Sequence, residues 1–227
     1  MTEPDVDVAA RVAVVRGRVA DAARRAGRDP ASVCLVAATK TVAPELIAMA
    51  LDAGVHDIGE NRAQELLGKA PALAVRPSPP RWHFLGHLQR NKIGALAPWV
   101  DCWQSVDRVE LGEAIRRREP GARVLVEVNL ASEPQKAGCP PEGAAPLVGA
   151  LRDLGLDVRG LMTIPPQDGE PRRWFSALRD LAAPLGLDDL SMGMTDDFDV
   201  AIEEGATIVR VGRALFGPRP DPTDPPT

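Results

Sequence analysis

The chain has no tyrosine among its 227 residues, so chemistry that depends on a phenol as acid or base is closed to it. Cysteine is almost as scarce. Cys34, Cys102 and Cys139 are odd in number and lack CxxC spacing, which gives no disulfide framework and suits a reducing compartment. No apolar run is long enough to span a bilayer, and the start, MTEPDVDVAARVAVV, has no basic stretch leading into an apolar one, as a secretory signal would. Positive charge is not in excess either. A net charge of -5 argues against a nucleic-acid-binding domain, although local Arg and Lys can still bind a small anion. What remains is a cytoplasmic domain, with 44% hydrophobic residues to fill one sizeable core.

Hydrophobic periodicity organises that core. Val8, Val12, Val15 and Val19 recur at helical spacing within 5–27, and Gly27 is placed to end the helix. Short apolar runs then follow at 33–38, 55–58, 82–85, 100–106, 124–130, 156–164, 189–193 and 207–212, each of a length and composition that fits a strand. Between them lie helical stretches at 44–53, 61–69, 89–96, one ending in Arg116 to Arg118, and 141–154, 171–183 and 196–204. The proline-rich segment 71–80 reads as a loop. Eight strand signals alternating with helices predict a parallel sheet, and eight is the number that closes a (β/α)8 TIM barrel. No full helix can follow the last strand, because 218–227 is a proline-rich tail, and the N-terminal helix is left to cover that gap. The chain therefore reads as one barrel domain, 1–217, plus a tail, with no GxGxxG or P-loop at its first turn.

In such barrels functional groups gather at the C-terminal ends of the strands, with phosphate often held after strands seven and eight. Lys40 lies just past the first strand, where an amine faces the mouth or is merely a solvated loop lysine. The segment SMGMTDD offers Thr195 as an N-cap and free amides as an anion seat, and RVGRA ends the last strand at Gly212 and Arg213. Arg210 shares a strand side with Gly212 and can reach the mouth as a fixed cation. Asn61, in GENRAQE, either binds a ligand or caps the next helix. His83 and His87 are four apart, but His83 reads as strand and no third ligand is suitably spaced, so no metal site is expected.

Taken in order, TKTVAPE, GENRAQE, WHFLGHLQRNK, LVEVNLASEPQKAG, GLMTIPP and LSMGMTDDFDVAIEEGATIVRVGRALFG resemble the pyridoxal phosphate homeostasis protein family over 33–217. The resemblance implies a barrel like the alanine racemase N-terminal domain, carrying pyridoxal 5′-phosphate as an aldimine on Lys40. It further implies that Thr195 and the amides of Gly212 and Arg213 hold the phosphate, and that Arg210 faces the pyridine nitrogen. Met192 would pack near the ring, with Asn61 and His83 lining the pocket. Four positions depart from the family pattern: Arg62 and Ala63 stand where Tyr-Val is usual, Thr195 where Ser is usual, and Arg213 where Thr or Ser is usual.

Spacing alone leaves open a cofactor-free imine aldolase, which the long resemblance dismisses, and a carrier and an enzyme remain to be weighed. Alanine racemase-type enzymes use a tyrosine base on a second domain, and this chain lacks the residue type. An arginine at the ring nitrogen also weakens the cofactor as an electron sink. The expectation is therefore a monomeric, non-catalytic carrier that takes part in pyridoxal phosphate homeostasis and delivers the cofactor to apo-enzymes. The alternative is a racemase or another carbanion-forming enzyme.

Overall fold

A computed structural model describes residues 7–166 and 170–218. Eight parallel strands close into a barrel in sequence order: β1 Cys34–Ala38, β2 Asp57–Glu60, β3 Arg81–Phe84, β4 Val100–Val106, β5 Arg123–Glu127, β6 Asp157–Met162, β7 Asp189–Ser191 and β8 Ile208–Val211. The helices are α1 Val8–Arg25, α2 Pro44–Asp52, α3 Ala63–Ala74, α4 Ile93–Leu96, α5 Val109–Arg116, α6 Pro141–Asp153, α7 Arg172–Ala182, α8 Phe198–Glu203 and α9 Arg213–Phe216. The barrel expected from the alternation is the one that forms. Among the described residues no helix is long and apolar enough to cross a membrane. Beyond Pro218 the expected tail lies outside the described residues.

Among the described residues only one helical turn, α9, follows β8, and α1 closes the ring by packing on α2, α8 and α9. Its inward stripe is Val8, Val12, Val15 and Val19, all buried, and each buried valine is worth roughly 1.5–3 kcal/mol. Arg18 pairs with Asp199 and Arg25 with Glu203, while Arg28 donates to the carbonyls of Ile202 in the last turn of α8 and of Ala206 beyond it.

Strand parity divides the interior from the outer layer. Val36, Leu85, Cys102, Leu125, Met162 and Ile208 form the small apolar cluster inside the barrel, with Cys34 and Ala38 against it. Their neighbours in sequence, including Ala37, Phe84, Trp103, Val124, Val126, Leu161 and Val209, belong to the larger layer between strands and helices.

Several expected boundaries move. Helix α3 runs on through Pro71 to Ala74. Pro71 is exposed, so the carbonyl that its ring deprives of a donor lies on the solvent side, where the loss is smallest. The helix expected at 89–96 is a 3-10 turn, Arg90–Lys92, followed by the four-residue α4. Helix α8 begins only at Phe198, and Asp197, not Thr195, occupies its N-cap without a side-chain capping bond.

Candidate functional site

Lys40 stands at the barrel mouth, immediately beyond β1. Thr39 turns outward: its hydroxyl donates to Glu60 Oε1 (2.7 Å), and its carbonyl accepts from Lys69 Nζ (2.8 Å). The residue that follows, Lys40, continues the interior register of Val36 and Ala38. It is half-buried, and its Nζ makes no hydrogen bond or ion pair with any described residue. The turn beyond it is held from α3. Thr41 has a φ of 65°, unusual for a residue with a Cβ, and its amide donates to Glu65 Oε2 at 2.6 Å. Lys69 binds Glu60 and Glu65 at once, with Glu60 fully buried. Burial pushes the Glu60 carboxyl up, against the pull of Lys69 and Thr39. At Glu65 burial is outweighed by the Thr41 amide and Lys69, which hold its carboxyl below the usual range. This triad was not foreseen, although Glu65 and Lys69 lie four apart on one helix and could have been read as a pair.

Inside the barrel, polar side chains form one connected row. Arg210, on β8, donates from Nη1 to Ser191 Oγ (2.6 Å) and from Nη2 to the Thr163 carbonyl (2.8 Å). Ser191 bonds Gln104 Oε1 at 2.6 Å, Gln104 Nε2 meets His83 Nδ1 at 2.7 Å, and His83 Nε2 meets Asp57 Oδ1 at 3.1 Å. At the floor Asp57 accepts from Arg81 Nε and Nη2 at 2.8 and 2.6 Å. Burial alone would raise the Asp57 carboxyl, but hydrogen bonds from His83 and Arg81 hold it well below its usual range. Arg210 is 5% exposed and has no carboxylate within ion-pair distance among the described residues. Burial lowers its guanidinium to about 10, against the attraction of Glu127 and Asp197.

The loops after β7 and β8 supply unused donors. Among the described residues, nothing accepts from the backbone amides of Gly193, Thr195, Asp196, Gly212, Arg213 or Ala214. The two loops are tied together where the Gly193 carbonyl accepts from the Arg210 amide and where Arg213 pairs with Asp196. Gly212 is needed for packing, because a Cβ there would stand 3.0 Å from the Ala38 carbonyl oxygen. Oriented free amides of this kind suit an anion.

Facing Arg210 from β5 is Glu127, 7% exposed, which continues the interior parity of Leu125. Burial and Asp107 push its carboxyl up to about 7, against the pull of Arg210. Asp197 is raised by burial, against the Met194 amide that donates to it.

The site residues expected from sequence meet mixed outcomes. Lys40, Arg210, Gly212, Arg213 and Thr195 come to one end of the barrel, on β1, β7 and β8 and the turns after them. Asn61 does not cap α3, whose N-cap is Arg62, and its side-chain amide makes no hydrogen bond to a described residue. The Asn61 carbonyl instead closes on Gly86, where a Cβ would stand 1.9 Å from its oxygen. His83 has both nitrogens engaged in the interior row, so it meets the mouth only through Gln104 and Ser191. Met192 is buried in the outer apolar layer, and Met162 is the methionine of the interior cluster. The expectation of Met192 beside a ring gives way, because it follows Ser191 and so falls on the opposite parity. Among the described residues no group of three or more His, Cys, Asp or Glu side chains is placed to hold a metal ion.

Known proteins resemble this chain in sequence and fold. The sequence matches the family described as alanine racemase, N-terminal domain, over residues 14–220. A pyridoxal phosphate homeostasis protein of Pseudomonas aeruginosa is 42% identical over 222 residues, covering 93% of this chain and 96% of its own length. The chain belongs to the pyridoxal phosphate homeostasis protein family. A protein of Bifidobacterium adolescentis, 40% identical, superposes with a TM-score of 0.84 over 95% of this chain and 98% of its own. PipY of Synechococcus elongatus, solved with pyridoxal phosphate bound, is 34% identical, with a TM-score of 0.81 over 92% of this chain and 100% of its own.

Proposed function

We propose that this chain binds pyridoxal 5′-phosphate in the barrel mouth, covalently through Lys40, and serves in the cytoplasm as a monomeric carrier of the cofactor. The observation that carries this reading is the charge pattern of the interior. Among the described residues Arg210 is a buried cation without a carboxylate at ion-pair distance, and it stands one strand away from a half-buried amine that has no described partner. An uncompensated buried charge costs several kcal/mol, and a ligand that accepts from it offsets that cost. When bound, pyridoxal phosphate supplies an aldehyde for covalent attachment and a ring able to delocalise carbanion charge.

The chain's own residues divide the work. Lys40 provides the attaching amine. The free amides of Gly193, Thr195, Gly212 and Arg213, with the Thr195 hydroxyl, bind the phosphate. Arg210 donates to the ring nitrogen, and its fixed charge disfavours a proton there, so the ring is a weak electron sink. The Asn61 side chain closes the rim. Residues 1–217 form the cofactor-binding domain in this reading, with 218–227 as its proline-rich tail. Weak activation suits storage and delivery to apo-enzymes better than catalysis.

The test is an absorption spectrum of the loaded protein, followed by borohydride reduction and peptide mapping. A visible band that bleaches and a pyridoxyl adduct on the Lys40 peptide are expected. A protein supplied with the cofactor that shows neither overturns the reading and points to sugar-phosphate imine chemistry at the same lysine.

One observation favours the catalytic alternative. Glu127, titrating at about 7 in the mouth, is poised to hold or move a proton at neutral pH. Loaded protein incubated with amino acids in deuterium oxide separates the two. No α-proton exchange is expected of a carrier, and exchange abolished by Glu127→Gln would establish catalysis.

A further inference from the structure

The barrel interior holds more polar atoms than ligand contact requires. Layers of branched apolar side chains ordinarily fill such a barrel, and Val36, Leu125 and Ile208 conform. Asp57, His83, Gln104 and Ser191 do not, and each is at least nine-tenths buried. Replacing a buried polar group by an apolar one of similar size is often neutral or stabilising, so stability alone is a weak reason for the row.

The direction of every bond in the row follows from its first member. A guanidinium has no acceptor, so Ser191 Oγ must accept from Arg210 Nη1. Its own proton then goes to Gln104 Oε1, which aims the Gln104 amide protons at His83 Nδ1. That nitrogen is an acceptor, and the His83 proton sits on Nε2, directed at Asp57 Oδ1. Asp57 ends the row as a carboxylate fixed by two bonds from Arg81. Donors all point one way, from the mouth to the floor, and bonds in such a row polarise one another.

We propose that Ser191, Gln104 and His83 are positioning residues that act through Arg210, fixing its guanidinium and drawing its Nη1 proton toward Ser191, with the Asp57–Arg81 pair as their anchor. The proposal rests on the reading of the mouth as a pyridoxal phosphate site and adds what sets the strength of the donor at the ring. The partners lie 19, 87, 21 and 26 residues apart along the chain, so local helix or turn formation explains none of the bonds. Removing Gln104's acceptor leaves the Ser191 proton without its partner and frees Arg210 to donate more strongly to the ring.

The experiment compares loaded wild type with Gln104→Leu, Ser191→Ala and the hydroxyl-retaining Ser191→Thr. The pH midpoint of the visible band should move by about one unit in the two truncations, and cofactor release on dilution should change roughly tenfold. Ser191→Thr should restore wild-type behaviour. Wild type that acquires no cofactor on Lys40 sinks the reading of the site itself. Wild-type loading with unmoved midpoints in both truncations sinks the positioning role alone. Histidine 15N shifts of the unloaded wild type need no variant to fold: a His83 proton on Nε2 is expected, and a proton on Nδ1 overturns the row.

Discussion

Two groups of buried charge sit on opposite faces of the same barrel wall, and they differ in one respect. Outside β2, Lys69 is neutralised by Glu60 and Glu65 and caps the Thr39 carbonyl, so every charge has a partner. Inside β8, Arg210 has a hydroxyl and a carbonyl but no carboxylate, while Glu127 facing it has no cation within ion-pair distance among the described residues. Complete pairing marks a device that shapes the chain, here the turn carrying Lys40. Incomplete pairing marks a place kept for something the chain does not contain. The two groups should therefore answer substitution in opposite ways.

The largest expected effect is at the amine between them. Lys40→Ala should abolish the borohydride-trapped adduct completely while leaving weak, phosphate-dependent association. Undiminished trapping would place the attachment elsewhere, with Lys136 and Lys92 to be mapped next.

The comparison itself is broken or kept by a pair of apolar replacements. Lys69→Met strands two carboxylates, one of them fully buried, and should cost about 3–5 kcal/mol in denaturant unfolding of the unloaded protein. Arg210→Met removes an uncompensated cation, so the unloaded protein should keep or gain stability while cofactor retention falls at least tenfold. Equal stability losses in both would erase the distinction drawn here.

How much of this was legible in the sequence divides along the same line. The alternation of apolar runs with helical stretches was enough for the barrel, and the rule that strand C-termini carry function pointed to the end of the barrel where Lys40, Arg210 and Gly212 lie. The supporting residues were not legible, because their meaning lies in partners far along the chain. Gln104 in VDCWQSV was visible as a polar residue in an apolar strand, yet only the closed barrel brings it between His83 and Ser191. Met192 was carried over from the resemblance alone, and its place one residue after Ser191 puts it on the opposite face, in the outer layer. Helix α3 outran its predicted end because an exposed proline breaks a helix less than composition suggests.

A smaller effect, set by pH, sharpens the case at Glu127. Its carboxyl titrates at about 7 when folded, against 4.5 unperturbed. Between those values the native state binds more protons than the unfolded state, so stability falls as pH rises. The loss is confined to the window from about 4.5 to about 7 and amounts to roughly 3 kcal/mol at most. Glu127→Gln should flatten that part of the curve for the unloaded protein. Asp57 titrates in the opposite sense, lost as pH falls toward its depressed value, and both proteins share it, so the difference curve reports Glu127. A difference curve without slope in this window would mean that the carboxyl is solvated and the mouth more open than its burial indicates.

The smallest effect is expected at Arg213, on the helical turn after β8. The side chain is exposed, and its charge is already met by Asp196 across the two loops. An exposed pair contributes about 0–1 kcal/mol, so Arg213→Ser should leave unfolding nearly unchanged and alter phosphate affinity by no more than about threefold. The proposed phosphate seat is built from amides, which the substitution retains. Asp196→Ala is the sharper variant, because it releases Arg213 beside the seat and should tighten inorganic phosphate binding at low salt, with the gain screened away as salt rises. A loss of affinity in Asp196→Ala would show that the pair is needed to hold the β7 and β8 loops together, and Arg213 would then belong with Lys69 among the residues that shape the chain.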